Sequence, residues 1–164
     1  MSTEQAITII SAGIMLLLLI FAVDWRYFQD WIVVFLFKGL LGIIWGGAVA
    51  QLKMITYPVR LFAQVYDSSL FFEVWVFPVL CILYNQITRE KGLWAILGYA
   101  VLFSGGITAL EYPLEKYTAL ITYVKWTWVT SFYTLTLTFL ISRAFIAFYR
   151  WGCRYFGGRE REVR

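Results

Sequence analysis

Five runs of apolar residues, each close to the length of a bilayer-spanning helix, leave this chain few ways to fold. They are Ala6–Val23, Trp31–Ala50, Leu70–Ile87, Leu93–Leu110 and Trp126–Phe148. A spanning helix needs about 20 mainly apolar residues. In hydrocarbon every backbone polar group must find its partner inside the protein, which a helix achieves within one segment. The runs therefore predict an all-α, polytopic transmembrane helix bundle of about five spans. The composition agrees, since 61% of residues are hydrophobic and 15% charged, whereas soluble domains carry about 25% charged residues.

The residues ahead of the first run, Met1–Gln5, hold no lysine or arginine, and no small-x-small cleavage site precedes Asp24. The first run is thus expected to stay as a helix rather than to be removed as a signal peptide. Two stretches between runs, Pro58–Tyr66 and Pro113–Val124, set apolar residues at helical spacing behind a leading proline. Both predict short helices lying in the membrane interface. A single helix from Pro113 to Phe148 would be about 54 Å long, so a bend or break is expected near Lys125. Residues 1–150 read as one transmembrane helical domain, and residues 151–164 as a basic cytoplasmic tail.

Five spans put the two termini on opposite sides. One side then holds Arg26, Arg89, Lys91, Arg143, Arg150, Arg154, Arg159, Arg161 and Arg164, against Lys53, Arg60, Lys116 and Lys125 on the other. Basic residues concentrate on the cytoplasmic side, which predicts a plasma-membrane protein with its N-terminus outside and its C-terminus in the cytoplasm. Arginines just beyond a membrane helix set topology or touch anionic lipid, so no nucleic-acid partner is expected. The expected partners are the bilayer and either another membrane protein or a second copy of the chain.

There is no histidine, which removes the commonest general base and the commonest transition-metal ligand together. Cys81 sits in an apolar run and Cys153 in the basic tail, a poor arrangement for a structural disulfide. No phosphate-cradling glycine loop, paired-cysteine metal motif or nucleophile elbow is present. No cofactor or metal and no catalytic residue is expected, and the sequence identifies no reaction.

The candidate ligand-binding residues are Glu73, Glu111, Lys125, Tyr112, Tyr123 and Trp126. Ionisable residues in spans are functional candidates by default, and two carboxylates with a lysine and phenols at one end of a bundle suit a cation, a proton relay or a polar ligand. The structural alternatives are a Glu111–Lys125 salt bridge and a headgroup-level Glu73. Lys38 is expected to snorkel to the cytoplasmic surface. Thr127, Ser131, Thr134, Thr138 and Ser142 form a hydroxyl stripe expected to face other helices. Gly42-x-x-x-Gly46 has close-packing spacing, and Pro78 is expected to kink the third helix, beside an aromatic–polar group of Trp75, Phe77, Tyr84 and Asn85.

The stretch Glu111-Tyr-Pro-Leu-Glu115 to Tyr123-Val-Lys-Trp126-Thr-Trp128-Val-Thr-Ser131-Phe, followed by Arg143, together with Phe77-Pro78-Val-Leu-Cys-Ile-Leu-Tyr84-Asn85-Gln86, resembles an uncharacterised family of small polytopic membrane proteins of endospore-forming Firmicutes. The likeness covers mainly residues 77–145. It implies a bacterial plasma membrane and a sporulation context, and supplies no reaction. Two readings follow from the residues and the likeness together. One is a non-enzymatic membrane protein acting by helix packing with a partner or as a small transport-associated subunit. The other is a substrate-binding permease component using the outer carboxylates and aromatics, with an intramembrane enzyme a more distant third.

Overall fold

The computed structural model describes residues 3–58 and 71–162, with side chains through residue 156. Five helices run alternately up and down. They are α1 (Thr3–Phe21), α2 (Phe28–Gln51), α3 (Phe77–Ile87), α4 (Leu93–Tyr117) and α5 (Trp128–Glu162). A 3-10 turn at Trp25–Tyr27 joins α1 to α2, and a π-helical turn at Phe72–Val76 leads straight into α3. Four of the helical segments are long and apolar enough to cross a membrane, and Phe72–Ile87 is shorter. Among the described residues the chain is all-α apart from one two-residue strand pair.

The short helix survives because it is central. α3 packs against each of the other four helices and buries Pro78, Val79, Cys81, Ile82, Tyr84 and Asn85. Around it the main core gathers Trp31 and Val34 from α2, Ala100 from α4, and Phe139 and Ile146 from α5. α1 lies at the other extreme. It buries no residue of its own and leaves Ile9, Ile10, Leu17 and Phe21 exposed, as suits a helix mostly surrounded by lipid. Aromatic side chains mark both ends of the bundle. Exposed Trp94 and Tyr112 lie on α4, and 18 positions apart they are separated by about 27 Å at 1.5 Å per residue, close to the ~30 Å hydrocarbon core.

Side chains tie the helix ends together where the backbone runs out of partners. At one end, Gln86 both accepts from the Asp24 N–H at 2.8 Å and donates to the Ala22 carbonyl at 2.8 Å, clasping the α1–α2 turn. Trp31 donates to the Asp24 carbonyl at 2.8 Å. Arg143 of α5 donates to the Thr88 and Arg89 carbonyls at 3.4 and 3.1 Å, serving acceptors that a helix C-terminus leaves open. At the opposite end, α2 stops in a Schellman turn. Met54 N–H donates to Val49 O at 3.1 Å and Lys53 N–H to Ala50 O at 2.9 Å, with Lys53 in the left-handed region at φ 52°.

The segment after α4 differs from the expected interfacial helix at Pro113–Val124. α4 runs on through Pro113 to Tyr117; the proline is exposed, so its ring and the carbonyl it leaves unpaired lie at the protein surface. Beyond Thr118 the chain returns extended, pairing Thr122–Tyr123 with Ile55–Thr56 in an antiparallel ladder. Leu120 and Ile121 are buried against Ile55 beneath it, and that burial wins over the helical spacing. The break expected near Lys125 falls here, and Thr127 caps the new helix by accepting from the Thr130 N–H at 3.2 Å. Most of the other expected interfacial helix, Pro58–Tyr66, lies outside the described residues, as does Leu70 of the third run. The final helix continues through Glu162, so residues 151–162 of the basic tail extend α5.

Candidate functional site

Lys38, Gly42 and Gly46 recur every four residues on α2 and therefore share one face. Lys38 lies ten residues beyond Phe28, the start of α2, which is about 15 Å into the helix. A lysine stem is too short to return from that depth to the membrane surface at the start of α2, and the expected snorkelling does not occur. Its side chain is 8% exposed, and Nζ lies 3.7 Å from Glu73 Oε2 and 5.3 Å from the Phe77 ring centre. Two charges taken out of water need each other, because either alone carries a large desolvation cost.

Glu73 sits in the π-helical turn. Pro78 at the start of α3 has no N–H to offer the preceding turn, and the ladder widens there to the five-residue bond from Phe77 N–H to Phe72 O. Single π turns inside helices recur at functional sites. The two glycines of α2 form the bed for the carboxylate. A Cβ at Gly42 would lie 2.7 Å from Glu73 Oε2 and 2.9 Å from its backbone O, and one at Gly46 would lie 2.8 Å from Oε1. The Gly-x-x-x-Gly spacing thus serves an intramolecular contact shaped around one acid.

A second polar group occupies the same end of the bundle. Tyr123 donates to Glu111 Oε2 at 2.7 Å and its hydroxyl meets Ser131 Oγ at 2.9 Å. Trp126 Nε1 donates to the same Ser131 oxygen at 2.9 Å. Tyr57 links the two groups. Burial raises its phenol well above the ordinary range, and the carboxylates of Glu73 and Glu111 and the phenol of Tyr123 act in the same direction. Burial likewise raises Tyr123, with Ser131 opposing and Glu111 reinforcing the effect. Both phenols are held neutral, and that of Tyr123 donates its proton to the Glu111 carboxylate.

Of the six candidate residues, Glu111, Tyr123 and Trp126 gather around Ser131, while Glu73 lies against Gly42 and Gly46 beside Lys38. Tyr112 turns outward, its ring packed on Trp128 at 4.8 Å and its hydroxyl accepting from Lys116 at 3.2 Å. Lys125 is exposed. Its backbone N–H donates to the Met54 carbonyl at 3.0 Å, and it forms no ion pair with Glu111 among the described residues. Tyr57, Ser131 and the partnership of Lys38 with Glu73 escape a reading by runs. The repeat Lys38–Gly42–Gly46 was the available signal for the last.

The hydroxyl stripe on α5 divides. Ser131 and Ser142 are buried, whereas Thr134 and Thr138 donate to the Thr130 and Thr134 carbonyls of their own helix at 2.8 and 2.7 Å. Such back-bonding satisfies a hydroxyl in lipid without a neighbour, so no continuous polar lining results. Ser142 accepts from Asn85 Nδ2 at 3.0 Å, and the same amide donates to Cys81 O at 2.8 Å. Asn85 Oδ1 is buried without a hydrogen-bond partner among the described residues. Comparison of the chain with protein-family models, with curated proteins and with solved structures gives no match.

Proposed function

We propose that this chain is a multi-pass protein of a bacterial plasma membrane, acting without catalysis as a small transport-associated subunit. Its cluster of Glu111, Tyr123, Tyr57 and Glu73 takes up a proton or small cation from the outer side and delivers it to Glu73, the partner of Lys38. The observation that carries this reading is the buried Lys38–Glu73 pair, 3.7 Å apart and about 15 Å from the start of α2. Lys38 acts as a tethered cation at Glu73. A proton or ion reaching the carboxylate competes with the ammonium, and the displaced lysine gives the helix bundle two arrangements of charge. At 3.7 Å the contact is longer than a hydrogen bond, which leaves carboxylate lone pairs for the competitor.

The orientation, N-terminus outside and C-terminus in the cytoplasm, draws on the grouping of Arg26, Arg89, Lys91, Arg143 and Arg150 at one end of the bundle. The resemblance of residues 77–145 to the Firmicutes family supports the bacterial membrane and the sporulation setting. A substrate-binding permease component is the second reading, favoured by the convergence of Tyr123, Trp126 and Glu111. Neither of the two clefts described among these residues is lined by Glu73 or Glu111.

The deciding experiment reconstitutes the protein in liposomes loaded with a pH-sensitive dye and imposes a proton gradient. Flux above that of empty liposomes, abolished in Glu73→Gln and in the charge-free double variant Lys38→Met with Glu73→Gln, each shown to reconstitute as folded helical protein, is the expected result. Flux equal in wild type and Glu73→Gln removes the cation-uptake reading. Native mass spectrometry of the same preparation identifies the partner or second copy that a subunit role requires.

A further inference from the structure

The basic end of the bundle holds a cleft of about 590 Å³ lined chiefly by Asp30 of α2, Arg89 and Glu90 after α3, and Arg143, Arg150 and Arg154 of α5. Six charges thus face one opening, four of them guanidinium. Arg150 is neutralised by Asp30, its Nη2 lying 2.7 Å from Oδ2. The other three find no carboxylate among the described residues. Arg89 lies flat on the Tyr27 ring, 3.2 Å from its centre. Arg143 spends its hydrogen bonds on the neutral Thr88 and Arg89 carbonyls, and its Nε is buried without an acceptor among the described residues. Arg154 donates to the Arg150 carbonyl at 3.3 Å. Glu90 also lines the cleft but is exposed and ion-paired to none of them.

We infer that this cleft is a binding site for a phosphate group, contributed by the headgroup of an anionic phospholipid. Guanidinium forks match phosphate oxygens in pairs, and basic pockets between transmembrane helices take anionic headgroups. The site is built rather than diffuse. Stacking fixes Arg89, the Thr88 and Arg89 carbonyls fix Arg143, and the Asp30 ion pair fixes the stretch of α5 that carries Arg154. The depth is right for a headgroup, since exposed Trp25 and Trp151 lie at the same end of the bundle and such rings settle at the membrane interface.

The test uses the full chain in detergent, with phosphatidylglycerol, phosphatidylcholine and inorganic phosphate as probes. Arg89→Gln with Arg154→Gln leaves the carbonyl contacts of Arg143 and the Asp30 ion pair untouched. Native mass spectrometry should show wild type retaining phosphatidylglycerol over phosphatidylcholine, and the double variant binding it roughly 30-fold more weakly, about fivefold for each basic residue. Displacement of the lipid by inorganic phosphate at comparable concentration would keep the phosphate chemistry and assign it to a soluble source. Equal retention of the two lipids, or equal retention by wild type and double variant, overturns the inference. Arg143→Lys supplies a second reading, since it keeps the charge but loses the fork, and should bind phosphatidylglycerol less tightly than wild type. Retention unchanged in all variants also overturns it.

Discussion

Arg150, in the second half of α5, closes an ion pair with Asp30 in the first turn of α2, Nη2 to Oδ2 at 2.7 Å and Nε to the same oxygen at 2.8 Å. Both side chains are largely enclosed, at 20% and 15% exposure, so the pair lies between the surface case, worth almost nothing, and the buried case. Arg150→Ala is expected to lower stability by about 2 kcal/mol, read as a shifted midpoint of denaturation in mixed micelles. Asp30→Ala combined with Arg150→Ala should cost less than the two singles added. Strict additivity would show that the contact contributes nothing.

The glycines of α2 give a graded prediction. Gly42→Ala pushes a Cβ to 2.9 Å from the Glu73 backbone oxygen, which cannot move without the π-helical turn, and should destabilise by about 1–3 kcal/mol. Gly46→Ala meets only the Glu73 side chain and should cost less while displacing the carboxylate from Lys38. Gly39 has nothing within 4 Å of its built Cβ, so Gly39→Ala should be neutral or stabilising by up to about 1 kcal/mol. Thermal melts of the three variants check the order, and an equal loss for Gly39→Ala and Gly42→Ala would contradict it.

Lys53 holds the left-handed position of a Schellman turn at φ 52°, where an L side chain is strained by roughly 1–2 kcal/mol. Lys53→Gly is expected to raise the melting temperature and Lys53→Val to lower it. Both should leave the Ile55–Tyr123 strand register intact, as followed by amide exchange at Tyr123 and Val124.

The raised phenols of Tyr57 and Tyr123 set a pH limit. In the unfolded chain a tyrosine ionises near its ordinary value of 10.0, while burial keeps both phenols protonated in the fold well above it. Their contribution is complete below pH 10 and is lost as pH rises further, because the unfolded state then releases protons that the folded state retains. Melting temperature should fall above about pH 10, and less steeply in a Tyr57→Phe, Tyr123→Phe double variant. Identical slopes in the two proteins would place the alkaline sensitivity elsewhere.

Run length and period made the helices legible, because hydrocarbon admits almost no other solution for stretches such as Leu93–Leu110. Pro113–Val124 departs from its period, helical only as far as Tyr117 and extended at Thr122–Tyr123. Helical spacing of Leu114, Tyr117, Ile121 and Val124 is a local signal, whereas the pairing of Thr122 with Thr56 is a contact across 66 positions that no local pattern encodes. The site was half legible. Glu73 and Glu111 stood out as charges in apolar surroundings, but the depth of Lys38 followed from where α2 begins, and the start of α2 at Phe28 precedes the apolar run by three residues. Tyr57 carries no mark of its own in the sequence, and Ser131 is marked only as one hydroxyl of the α5 stripe, not as the meeting point of Tyr123 and Trp126.

The central place of α3 bears on how the protein is made. Pro78, Asn85 and an adjoining glutamate make it a poor candidate to enter lipid alone, yet it is synthesised before α4 and α5 exist. Lys38 and the bed formed by Gly42 and Gly46 are already in place on α2 when Glu73 emerges, so the acid has its counter-charge from the first moment. Asn85 must wait for Ser142, which is delivered last. The chain order therefore builds a helical hairpin around the costliest charge first and leaves the milder polar contact to be closed by the final helix.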